Sequence, residues 1–208
     1  LFESCLPLIA SENVPSPMVR EALATDFGNR YAEGWPGERV YAGCEYIDKV
    51  EFICIELARQ LFRAEFADVR PISGVVANLA IYAAFTNPND LMFALSIPCG
   101  GHISMGRQQF GGTAGVVRGL RVEYFPFDYE NLTIDVEASK KKVTEFIQNK
   151  DPPKLAMFGG SVLPFPQPLK ELEETFHSLD VKINYDAAHV CGLIAGGKFQ
   201  DPLREGAD

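Results

Sequence analysis

An α/β architecture, with a mostly parallel sheet covered by helices on both faces, follows from three observations on this 208-residue sequence. Four short, nearly continuous apolar runs, "DLMFALSI", "RVEYFPF", "KLAMFGG" and "KINYD", have the length of buried strands. Segments of helical period, such as "VEASKKKVTEFIQNK" and "PLKELEETFHSL", alternate with them, as parallel βαβ units require. Hydrophobic residues make up 47% of the chain and aromatics 11%, enough to fill a core.

The earlier elements read in order. "SPMVREALATDFG" carries Pro17 at a helix start and Gly28 where a helix would stop. "NRYAEGWPGERVYAGCEY" is rich in glycine and aromatics with no sustained period, and reads as an ordered loop. "DKVEFICIELARQLF" repeats apolar residues at Val50, Ile53, Cys54, Leu57 and Leu61, one face of a helix. "SGVVANLAIYAAF" is apolar nearly all round, which predicts a helix buried on most sides with Ser73 as its N-cap. No internal repeat, low-complexity tract or linker interrupts the chain.

Charge and composition exclude several classes of function. A formal net charge of -9 without any basic run argues against nucleic acid or an anionic membrane as partner. No apolar stretch is long enough to span a bilayer, and no basic leader precedes the apolar start, so a cytoplasmic protein is expected. The cysteines, Cys5, Cys44, Cys54, Cys99 and Cys191, lack paired-ligand spacing; reduced thiols and no metal site are expected.

Four local patterns carry possible chemistry, each with a plainer alternative. Ser73-Gly74, opening a helix, offers backbone N–H groups and a hydroxyl to a phosphate, or is merely a cap. His102, directly after two glycines at a strand end, could lie flat against a planar ligand, or be a histidine satisfied within its loop. Asp186 ends the strand "KINYD", with His189 three residues on and a run of small residues behind it. A carboxylate there is costly unless a cation or hydrogen-bond donor meets it; it could hold a ring nitrogen protonated, or cap the turn. Together these match what a phosphorylated heterocycle such as pyridoxal phosphate needs. In the loop, Glu33 lies among Tyr31, Arg39 and Tyr41, where partial burial would raise its pKa for proton transfer, or where the aromatics would serve an interface.

The segments "LIASENVPSPMV", "RYAEGWPGERVYAGCEYIDKVE", "SGVVAN", "GGHISMG" and "YDAAHVCGLIAGG" closely resemble, in order and spacing, the motifs of the serine hydroxymethyltransferase family. The resemblance covers essentially the whole chain. It implies a pyridoxal 5'-phosphate enzyme of the aspartate-aminotransferase fold type (fold type I), with 1–45 as amino-terminal segment and active-site loop and 46–208 as an incomplete cofactor-binding large domain. The implied reaction is reversible conversion of serine to glycine with one-carbon transfer to a reduced pterin, tetrahydrofolate or tetrahydromethanopterin.

By the same resemblance, Ser73 and Gly74 bind the cofactor phosphate, His102 stacks on the ring, Asp186 pairs with its nitrogen and His189 lies near its phenolic oxygen. Ser11 helps hold the substrate carboxylate, Glu33 moves protons, and Tyr31 and Tyr41 line the site. Tyr31, Glu33 and Tyr41 would come from a neighbouring subunit, implying a homodimer or a pair of such dimers. The chain resembles the first half of the family's proteins; the lysine that anchors the cofactor and the arginine that grips substrate are expected after Asp208. "FGGSVLPFPQP" departs from the family pattern, leaving Ser161 as substitute for a serine that touches phosphate. A threonine aldolase or transaldolase on the same scaffold, or a non-catalytic dimerisation module derived from it, are the alternatives.

Overall fold

A computed structural model describes residues 3–6, 8, 12 and 14–208. They form two compact units, Leu1–Arg70 and Pro71–Asp208. In the first, α1 (Pro17–Leu23) begins at the expected proline, with Ser16 Oγ accepting from Val19 N–H at 3.3 Å. It ends short of Gly28, where the Thr25 hydroxyl donates to the Ala22 carbonyl at 2.8 Å, and Asp26–Asn29 continue as a single 3-10 turn. The aromatic loop is not wholly irregular: β1 (Gly34–Trp35) and β2 (Glu38–Arg39) pair as a minimal antiparallel hairpin. The long helix α2 (Glu45–Phe62) has the expected apolar stripe, yet Val50, Ile53, Leu57 and Leu61 are all about half exposed.

The second unit starts with α3 (Gly74–Phe85) and continues through β3 (Leu91–Ala94), α4 (Thr113–Arg118), β4 (Arg121–Tyr124) and the small hairpin β5 (Phe127–Asp128) and β6 (Thr133–Ile134). It then runs through α5 (Val136–Gln148), β7 (Leu155–Gly159), α6 (Leu169–His177), β8 (Lys182–Asp186) and α7 (Cys191–Ala195). The four predicted strands form one parallel sheet in the order β4-β3-β7-β8. The chain steps to one side of β3 first and to the other side afterwards, so a topological switch point lies between β3 and β7, where α/β sheets place their ligands.

Side-chain alternation along the strands sorts the core into two layers. Phe93, Ala156, Phe158 and Ile183 face α5 and α6 and pack with Phe125, Val143, Leu172 and Phe176. Met92, Ala94, Leu155 and Met157 face the other way and pack with Tyr82 of α3 and Ala114 of α4. Helices therefore cover both faces, as the sequence predicts. The expectation for α3 itself needs correction: only Asn78 and Tyr82 are buried, and Val76 and Phe85 stay exposed. Among the described residues no helix is long and apolar enough to cross a membrane.

Rings of Phe93, Phe125, Phe158 and Phe176 meet at centroid distances of 5.0–6.3 Å and form the centre of the larger layer. Replacing Phe158 by Ala leaves a cavity where the strand meets α6, and should cost about 3–5 kcal/mol in denaturant unfolding. A loss below about 1 kcal/mol would mean that this layer is not the structural core.

Candidate functional site

The carboxyl ends of β3, β7 and β8 are stitched together by backbone. Ser161 N–H donates to Gly100 O at 2.7 Å, and Gly160 N–H to Asp186 O at 3.2 Å. This approach tolerates no side chain at Gly159, where φ is +81° and a Cβ would lie 2.1 Å from Asp186 O. Gly101 is equally constrained, since a Cβ there would lie 2.1 Å from Leu95 O. The two glycines before His102 thus serve the chain's own packing rather than clearance for a ligand.

A cavity of about 140 Å³ opens at these strand ends, lined by Ser73, Gly74, Val75, His102, Gly160, Asp186, Ala188 and His189. Five residues singled out from the sequence, Ser73, Gly74, His102, Asp186 and His189, are therefore brought to one place. At the start of α3, Ser73 Oγ accepts from Val76 N–H at 3.2 Å and Ser73 O from Ala77 N–H at 3.0 Å. The amides of Gly74 and Val75 precede any possible intrahelical acceptor, and with the helix dipole they favour an anion. The cap and the anion cradle are compatible.

Asp186 accepts two hydrogen bonds, at Oδ2 from Asn78 Nδ2–H at 2.8 Å and at Oδ1 from Ala188 N–H at 3.1 Å. Both donors are neutral amides, and no cation forms a salt bridge with this carboxylate among the described residues. Burial, reinforced by the Asp186 charge and only partly offset by its bond to Ser104, pushes the nearby Tyr82 hydroxyl well above its usual range. His102 is satisfied in its loop as the plainer alternative had it, for its Nδ1 accepts from Ser104 N–H at 3.1 Å, yet the ring still lines the cavity. Nδ1 of His189 is buried and has no hydrogen-bond partner among the described residues.

Asn78 and Ser104 are the residues that the sequence reading missed. Asn78 is the one strongly polar side chain in an otherwise apolar helix, and a buried amide must find partners; that was the available signal. Ser161 binds Gly100 through its backbone and is absent from the cavity lining. His177, given no role, lies on α6 with Nε2 3.2 Å from Asp208 Oδ2.

In the first unit, Arg39 organises the aromatic loop. Its guanidinium donates to Ala32 O and Gly34 O, each at 2.6 Å, to Asp48 Oδ1 at 2.7 Å and to Glu51 Oε2 at 2.5 Å. Gly37 N–H adds a bond to Asp48 Oδ2 at 2.9 Å. This clamp fixes the hairpin between Tyr31 and Tyr41, whose rings meet at 5.3 Å. Tyr31 and Tyr41 are 78% and 45% exposed, and Glu33 is exposed as well, so the partial burial expected for Glu33 is not supplied by this chain alone. Ser11 lies outside the described residues.

Comparison with known proteins places these motifs in context. The family model for serine hydroxymethyltransferase matches residues 3–207. The serine hydroxymethyltransferase of Nitrosopumilus maritimus (strain SCM1) is 67% identical over 207 residues, covering 100% of this chain and 47% of that protein. That of Cenarchaeum symbiosum (strain A) is 66% identical with the same coverage, and that of Methanocaldococcus jannaschii is 55% identical over 98% of this chain and 45% of its own length. The chain spans about half the length of the curated relatives it matches.

The Arg39 clamp is testable by itself. Arg39→Met keeps the aliphatic stem and removes every donor, so proteolysis within 31–41 should accelerate about tenfold or more while the global unfolding midpoint moves little. Asp48 is held below the usual carboxylate range, chiefly by the Arg39 hydrogen bond and next by Gly37 N–H. A lowered folded pKa means that its contribution is present above the unfolded value of about 4 and is lost as pH falls below it. Loop protection in the unsubstituted protein should follow that curve; protection independent of pH would remove Asp48 from the clamp.

Proposed function

The chain belongs to the serine hydroxymethyltransferase family, and from that footing we propose that the full protein interconverts serine and glycine, using pyridoxal 5'-phosphate and passing the one-carbon unit to a reduced pterin, tetrahydrofolate or tetrahydromethanopterin. The observation that carries this reading is the single cavity at the strand ends that gathers Ser73, Gly74, His102, Asp186 and His189.

The residues present fit a phosphorylated planar heterocycle on three counts. The start of α3 has amides to give to a phosphate. The Asp186 carboxylate has neutral donors against it and is open to a cationic ring nitrogen. The buried Nδ1 of His189 has no hydrogen-bond partner among the described residues, and a phenolic oxygen would supply one.

The chemistry the cofactor supplies when bound is an electron sink for the bonds at the substrate α-carbon. The chain's own residues prepare for it. Asp186 holds a proton at the ring nitrogen, and so keeps the sink electron-poor. Gly74 and Val75 amides, with Ser73, bind the phosphate and fix the ring's position. His102 presents a flat face to the ring, and His189 meets the phenolic edge. Glu33 handles the proton of the substrate hydroxyl as the side-chain carbon leaves.

Tyr31, Glu33 and Tyr41 act, in this reading, in the site of a second subunit. Their exposure in the single chain supports a homodimer, as does the half-exposed apolar stripe of α2. The cofactor-anchoring lysine and the substrate-gripping arginine belong to the remainder of the protein, whose relatives are about twice as long as this chain. A cytoplasmic location accompanies this metabolic role.

In the full-length protein, Asp186→Asn should lower turnover about a hundredfold or more, the scale of losing a charge that acts on the transition state, with little change in the unfolding midpoint. Near-normal turnover in that variant would overturn the ring-partner role. Glu33→Gln should retain cofactor and lose about a hundredfold in serine cleavage. Cofactor loss in that variant would assign Glu33 to the interface instead. Serine–glycine exchange should require the pterin; pterin-independent threonine cleavage without that exchange would replace the reading by an aldolase.

A further inference from the structure

The hydrogen bonds around Asp186 have a fixed polarity, and it reaches His102. A carboxylate only accepts, so the Asn78 amide must turn its nitrogen toward Asp186 Oδ2, at 2.8 Å. That nitrogen has two hydrogens. The second goes to Ser104 Oγ, at 2.9 Å. The Ser104 hydroxyl lies 2.8 Å from His102 Nδ1, and because that nitrogen is the acceptor of a backbone amide the hydroxyl directs its own hydrogen there. Nδ1 also receives Ser104 N–H at 3.1 Å. It is therefore an acceptor, and the ring carries its proton on Nε2.

Asn78 is 4% exposed and Ser104 fully buried, so neither can exchange these partners for water. The Tyr82 hydroxyl, one helical turn along α3, donates to Ser104 O at 3.1 Å and holds the serine from behind. Asp186, His102 and Tyr82 are the titratable groups joined to this network.

We propose that Asn78 is a positioning residue that, through its two amide hydrogens, sets the Asp186 carboxylate directly and the His102 ring by way of Ser104, so that the anionic partner and the stacking face of the ligand are oriented by one side chain. The assignment rests on the cofactor reading above for the identity of the ligand, but the bond polarity is a property of this chain alone. It gives the apolar helix α3 two tasks: its first turn meets the phosphate and its second turn aligns the ring partners.

The test uses the full-length protein and pyridoxal phosphate itself. Asn78→Ala, with an unchanged unfolding midpoint, should weaken pyridoxal phosphate binding about tenfold or more, the scale of losing a hydrogen bond to a charged group. Asn78→Asp keeps the shape and replaces donors by an acceptor beside a second carboxylate, which must bind a proton before it can donate. Its affinity for the cofactor, relative to that of the unsubstituted protein, should therefore rise as pH falls and be lost as pH rises. A packing role alone would leave that ratio flat with pH, and a flat ratio, or an affinity within twofold for Asn78→Ala, would overturn the proposal.

Ring-nitrogen NMR of His102 in cofactor-free protein separates this inference from the function it rests on. A proton on Nε2 in the unsubstituted protein, with ring signals displaced in Asn78→Ala and in Ser104→Ala but restored in Ser104→Thr, supports it. A proton on Nδ1, or signals indifferent to Asn78, overturns it. Unsubstituted protein that takes up no pyridoxal phosphate would overturn the proposed function, and the His102 signals then decide the positioning role by the same criteria.

Discussion

A half-buried carboxylate at the end of β8, with no cation against it among the described residues, is the constraint around which the second unit is arranged. Asp186 could have been neutralised by an arginine or lysine, the common solution for a half-buried charge. Instead it receives a side-chain amide from α3 and a backbone amide from the turn after β8. Those donors make the position tolerable without satisfying the charge, and a carboxylate left in that condition is suited to a cationic ligand. The helix that supplies the side-chain amide also brings its first residues, Gly74 and Val75, to the same cavity. Asp186 and the anion cradle are thus held in register by a single element.

Backbone proximity is the second requirement. Ligand sites at switch points form because adjacent strands diverge there. Here the gap is narrowed again by glycine: a Cβ at Gly160 would lie 2.4 Å from Gly100 O, and Ser161 N–H ties the same loop to Gly100. The result is a small cavity lined by small residues and by Ser73, His102, Asp186 and His189. The first unit solves a different problem. Its aromatic loop has little apolar packing of its own, and Arg39, through four acceptors on the loop and on α2, supplies the rigidity that packing would otherwise give.

Much of this arrangement was legible in the sequence because it is carried by period and punctuation. The four apolar runs became the four strands, and Ser73 and Pro17 stand at helix starts as their chemistry dictates. Convergence of Asp186, His102 and Ser73 was readable since parallel sheets put their strand ends together. What was not legible depends on contacts far apart in the chain. Nothing local to "SGVVAN" says that Asn78 bonds a residue in "KINYD", and nothing local to "ERV" says that Arg39 is a clamp for its own loop. The burial of α3 is less than its apolar content suggests for a related reason. Apolar content announces that a face needs covering, whereas only the assembled molecule determines what covers it.

The central claim is that one cavity, built from the start of α3 and the ends of β3, β7 and β8, receives a phosphorylated heteroaromatic ring. A crystal structure of the full-length protein soaked with pyridoxal phosphate tests it most directly. The account predicts the phosphate at the amides of Gly74 and Val75, the ring against His102 and its nitrogen within hydrogen-bond distance of Asp186. A ligand bound elsewhere, or a ring nitrogen turned away from Asp186, would contradict it.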